Sequence, residues 1–134
     1  MLNDIKIAKV RTTLLCITGL SCLLYAVLAI AQNRPDPIWW FVPSVTGILA
    51  MLGIFAAFSF ASPAARSMAK DEMYIALAYR AQRHAYWISL FLYPIFAVGS
   101  YWGGLHWVTI FAAMGTLSGA SYLLLLTFYE WRAS

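Results

Sequence analysis

Charge is what this sequence has least of. Only 10% of its 134 residues are Asp, Glu, Lys or Arg, against about 25% in ordinary soluble domains. Four stretches, 13–31, 39–61, 86–104 and 106–128, contain none of the four. Each is long enough to cross the hydrocarbon core of a bilayer, which takes about 20 apolar residues at ~1.5 Å of rise per residue. Absent charge also narrows the chemistry. Proton-coupled pumps and transporters ordinarily keep an ionisable residue inside the membrane, and no Asp, Glu, Lys or Arg falls within these stretches. The small multidrug transporters rely on a Glu in their first span, which this chain lacks. The four-span glutathione-metabolising membrane enzymes carry Arg, Asn and Glu about their second helix, and the second stretch has none of them.

Cysteine and histidine are equally sparse. Cys16 and Cys22 are spaced as neither a metal-binding nor a dithiol redox pair. Six residues on a helix is ~9 Å of rise, too far for a bridge. His84 and His106 stand about 33 Å apart along a continuous helix, so they cannot share one metal or haem. No cofactor or metal is expected. Scattered hydroxyls without a base at matching depth give no nucleophile. Asp71 and Glu72, the one adjacent acidic pair, read as helix-start charges beside Arg66 and Lys70. The chain is not expected to be an enzyme.

What is present is apolar: 63% of residues are hydrophobic and the mean hydropathy is +0.74. The apolar runs are continuous rather than alternating, which favours helices over a membrane barrel. The expected fold is an all-α membrane protein: a four-transmembrane-helix bundle in one domain, 1–134, with spans at about 13–31, 39–61, 86–104 and 106–128. Residues 62–85 form a loop and helix between the second and third spans, so the third helix extends beyond the membrane. Ala29-Ile-Ala31 after a basic lead imitates a signal-peptide cleavage site, but the run is long for one and reads as a retained span.

Eight of the nine Lys and Arg residues lie before the first span, between the second and third, or after the fourth; Arg34 alone lies on the other side. By the positive-inside rule both termini and the 62–85 segment are cytoplasmic. The net charge of +4 thus serves orientation and contact with anionic headgroups, and no nucleic-acid partner is expected. The tryptophans agree: Trp39, Trp40, Trp102 and Trp107 mark the outer boundary, Trp87 and Trp131 the inner one.

Pro35 and Pro37 break the chain between the first two spans, and Ser62-Pro63 ends the second. A helix is expected from about 68 to 102, with a kink at Pro94. Small residues mark the faces where helices pack: Gly19 in the first span, Gly53 and Ala57 in the second, Ala112, Gly115, Thr116 and Gly119 in the fourth. The Gly115–Gly119 motif serves either packing within one bundle or a homo-oligomer.

The segment from Lys70-Asp-Glu to Tyr86-Trp87 is the most distinctive. It resembles the Asp-Glu-led helix that enters the third span in certain small four-helix proteins of the bacterial inner membrane. The resemblance covers about twenty residues and implies architecture only, with a bacterial inner-membrane location. Arg66, Lys70, Arg80, Arg83 and His84 are the candidates for contact with headgroups or an acidic partner. The expected function is an accessory, structural or regulatory part of a membrane complex. The alternative is a transporter or channel for an uncharged or hydrophobic solute, with Ser44, Thr46, Ser59, Ser89 and Tyr93 along the path.

Overall fold

The computed structural model describes residues 4–60, 63, 64, 67 and 72–133. Among these the ordered structure is all helical, with no strand and four long helices: α1 (Asp4–Gln32), α2 (Val42–Ser59), α3 (Glu72–Trp102) and α4 (Trp107–Ala133). Arg66, Lys70 and Asp71, and with them the expected helix start at 68, lie outside the described residues.

Three of the helices, α1, α2 and α4, are long and apolar enough to cross a membrane. The third helix is long enough, at 31 residues or about 46 Å. Its 86–104 stretch is diluted by Tyr86, Trp87, Tyr93, Tyr101 and Trp102, amphipathic rings that favour the membrane boundary over its centre. It continues without a break through Pro94. The second helix starts three residues later than its uncharged run, because residues 39–41 form a turn and Pro43 sits in the first helical positions, where its missing N–H is not needed.

The principal contacts join α2 to α1, α1 to α4 and α4 to α3. The helices therefore lie in the order α2, α1, α4, α3, with the first and last helices of the chain paired at the middle. Small side chains set these contacts. A methyl at Gly19 would come within 3.1 Å of Leu123 and Leu124, and one at Gly53 within 2.8 Å of Leu14. Ala26, Ala29, Ala50, Ala57, Ala81, Ala85, Ala113 and Ala120 are buried. Close backbone approach of this kind supplies van der Waals contact where no hydrophobic gain separates side chain from solvent. One polar link reinforces it: the hydroxyls of Ser21 on α1 and Thr46 on α2 share a hydrogen bond of 2.6 Å.

Large apolar side chains point away from the array on every helix; Phe55 is 73% exposed and Phe111 67%. A water-soluble chain of this size could not tolerate so much, whereas lipid makes it the ordinary state.

The end of α1 is closed by backbone geometry. Asn33 adopts φ +51°, the left-handed turn that Asn tolerates. The Asn33 N–H bonds Ile30 O and the Arg34 N–H bonds Ala29 O, satisfying two carbonyls the helix end would leave open. That conformation aims the Asn33 amide across to the α3–α4 turn. Its Nδ2 donates to Gly104 O at 3.0 Å, and the His106 N–H donates to its Oδ1 at 2.8 Å. Gly104, at φ +68°, supplies the sharp reversal.

Candidate functional site

The far end of the α1–α4 pair holds a second clasp, built from charge. The two helices run antiparallel, so the first turns of α1 meet the last turns of α4. Arg11 and Thr12 therefore face Glu130. Arg11 Nη2 donates to Glu130 Oε1 at 3.0 Å, and the Thr12 hydroxyl donates to Glu130 Oε2. Both oxygens of the carboxylate are thus engaged. The side chains of Arg11 and Glu130 are only 9% and 12% exposed. Tyr74, from the part of α3 preceding its 86–104 stretch, covers the pair: the Arg11 guanidinium lies 3.6 Å from the centre of its ring. Burial pushes the Tyr74 phenol above its ordinary pKa, with the nearby Arg11 charge opposing.

A second group adjoins this one. His84 Nδ1 and the Tyr129 hydroxyl are hydrogen-bonded between α3 and α4. Arg80 stands over the Tyr129 ring at 4.5 Å, and Arg132 over the Phe128 ring at 5.7 Å. Of the residues expected to meet headgroups or a partner, Arg80 and Arg83 are exposed and His84 is half-buried against Tyr129.

The packing residues divide. Gly19, Gly53 and Ala57 lie in helix contacts. Gly115 and Gly119 do not: both are exposed, and a methyl added to either meets nothing within 4 Å. Ala112 and Thr116 beside them are half-buried. The α4 contacts run instead through Thr109, Ala113 and Ala120, about a quarter-turn or more around the helix. A four-residue spacing of small residues marks a face that can be approached closely but does not say by what.

The chemistry open to this arrangement is limited. Among the described residues the most enclosed carboxylate, Glu130, already accepts from Arg11 and Thr12 on its two oxygens, so it serves first as a structural partner. Among the described residues no three His, Cys, Asp or Glu side chains come together. Several hydroxyls are bonded within their own helices: Ser59 donates to Phe55 O, Ser89 to Ala85 O, Ser118 to Met114 O and Ser121 to Leu117 O. Such hydroxyls satisfy themselves locally; of the other residues expected along a path, Thr46 is bonded to Ser21, and Ser44 and Tyr93 are exposed. At the opposite end an open cleft is bordered by Gln32, Arg34, Asp36 and residues 37–41. Arg34 and Asp36 form an exposed bidentate pair at 3.1 and 3.2 Å, which holds the Asp36 carboxyl below the usual carboxylate range. Trp39 there adopts φ +62°, a strained conformation for a bulky residue.

Sequence reasoning missed the Arg11–Thr12–Glu130–Tyr74 cluster, although its signal was present. Both ends on one side of the membrane put Arg11 and Glu130 at the same depth on neighbouring helices, and opposite charges at equal depth are natural partners. Comparison with family models, curated proteins and solved structures finds no match to this chain.

Proposed function

We propose that this chain is a four-span protein of a bacterial inner membrane, with both termini cytoplasmic, acting as a non-catalytic subunit that docks another membrane helix. Parity supports the span count. The Arg11–Glu130 contact at one end and the Asn33–His106 contact at the other make α1 and α4 antiparallel. If both cross the bilayer, an even number of crossings separates them. If α2, which is apolar enough to cross, does so as well, parity makes α3 the fourth crossing. The one-sided distribution of Lys and Arg supports the orientation.

The observation that carries the docking reading is the open strip at Gly115 and Gly119. Glycine weakens a helix interior by roughly 1 kcal/mol relative to Ala, and among the described residues nothing uses the space gained. A second helix lying there would gain the close backbone contact that glycine permits. The engagement of Glu130 by Arg11 and Thr12 weighs against catalysis, and the intrahelical bonds of Ser59, Ser89, Ser118 and Ser121 weigh against a polar path through a single copy.

Two measurements test the proposal. Impermeant maleimide should label a cysteine placed at Asp36 and one placed at Ala133 from opposite sides of the membrane; labelling from the same side refutes the topology. Purification from native membrane in mild detergent should bring down a companion chain or a second copy, and Gly115→Leu with Gly119→Leu should release it. A chain that migrates alone at every mild detergent level refutes docking.

A further inference from the structure

Two guanidinium groups at the Arg11–Glu130 end sit on rings rather than on carboxylates. Arg80 lies over Tyr129 and Arg132 over Phe128, and the two ring centres are 5.9 Å apart. His84 fixes the Tyr129 hydroxyl from α3. Arg80 and Arg132 are exposed, and among the described residues neither makes an ion pair. Glu130, the nearest acid in sequence to Arg132, is turned to Arg11. A guanidinium seated on an aromatic face is held in place while its N–H fork stays open to an acceptor.

The same face of α3 then becomes apolar. Arg80, His84, Trp87 and Phe91 follow one another at four- and three-residue steps, which align on one side of a helix. Val98 returns to that side two turns further on. Trp87, Phe91 and Val98 are 56%, 64% and 52% exposed. The surface therefore offers paired cations at one end, an aromatic at the boundary, and an apolar strip running away from them. Its complement is an amphiphile with an anionic head and alkyl chains.

We infer that Arg80 and Arg132, on the Phe128–Tyr129 shelf, bind the phosphodiester headgroup of an anionic phospholipid whose chains lie along Trp87 and Phe91. The inference rests on the membrane reading above and gives the basic end of that topology a defined ligand class. Arg83 supplies charge nearby without a ring beneath it, so it adds to the general surface field rather than to the site.

The full chain, in detergent micelles titrated with phosphatidylglycerol or with phosphatidylcholine of the same acyl chains, is read by native mass spectrometry. One cation near an anionic surface is worth about a fivefold change in binding. Wild type should retain phosphatidylglycerol over phosphatidylcholine by about tenfold or more, and Arg80→Gln with Arg132→Gln should bring the ratio near one. Either single change should fall between, which keeps the test intact if the double variant does not fold. Arg83→Gln should leave most of the preference, and millimolar inorganic phosphate should not displace the lipid. Equal retention of the two lipids by wild type overturns the site, as does a preference that survives the double variant, follows Arg83 alone, or is abolished by inorganic phosphate. Protease protection of the same protein in phosphatidylglycerol vesicles separates the two levels of failure. A chain that inserts but shows no preference refutes the lipid site alone, and a chain that does not insert refutes the membrane reading with it.

Discussion

Removing Glu130 is the sharpest test of how this chain is held together. Glu130→Ala takes away the acceptor of both the Arg11 Nη2 donor at 3.0 Å and the Thr12 hydroxyl. Stripping one partner from a buried ion pair costs about 3–5 kcal/mol, chiefly because the surviving charge keeps its desolvation. Here the side chains retain 9% and 12% exposure, and Tyr74 continues to shield the Arg11 guanidinium. The loss should therefore fall at the lower edge, about 3 kcal/mol, a factor of more than ~100 in the folding equilibrium. Glu130→Gln keeps one acceptor oxygen and the shape of the group, and should cost about half as much. Arg11→Met combined with Glu130→Leu removes both charges and fills the space, so the double variant should lie within about 1 kcal/mol of wild type. The assay is unfolding by sodium dodecyl sulfate in mixed micelles, followed by helical circular dichroism. Single changes costing under ~0.5 kcal/mol, or a double change equal to the sum of its parts, would show that the pair is a surface contact and the reasoning wrong.

Two further outcomes follow from the same geometry. Gly19→Ala, whose methyl would meet Leu123 and Leu124 at 3.1 Å, should destabilise the chain by about 1–2 kcal/mol. Gly115→Ala and Gly119→Ala enter open space and should be neutral or stabilising by up to about 1 kcal/mol; equal losses at all three in the unfolding assay would contradict the packing described. At the other end, the Arg34 hydrogen bond lowers the Asp36 pKa. A lowered carboxyl contributes to order above its unfolded value and loses that contribution as pH falls through its own depressed one. Carbon NMR should find Asp36 titrating below the free carboxyl, and Arg34→Gln should return it to the ordinary range; a wild-type titration at or above that range refutes the contact.

How much of this could be read from the chain depends on whether the signal is local. The uncharged runs locate α1, α2 and α4 because a bilayer imposes length and composition on each segment separately. The break at Pro35 and Pro37 is local in the same way. The partner of Glu130 lies 119 residues away, so the pair is legible only once the topology has set both ends at one depth, and not from the residues around Glu130. Gly115 and Gly119 were recognisable as a packing strip, yet spacing alone does not say which neighbour faces it. The tertiary order α2, α1, α4, α3 decides that, and it turns the strip outward. His84 read as a boundary residue from its position, while its bond to Tyr129 depends on how α3 and α4 are set against each other.

The pairing of α1 with α4 has a consequence for synthesis. Arg11 emerges from the ribosome 119 residues ahead of Glu130. Until then α1 can bury its Ser21 hydroxyl against Thr46 of α2, but its charged end has no Glu130 to meet. The nascent protein thus carries a mark of incompleteness that only the arrival of Glu130 erases, and a product truncated before residue 130 should be recognised and degraded rather than accumulate.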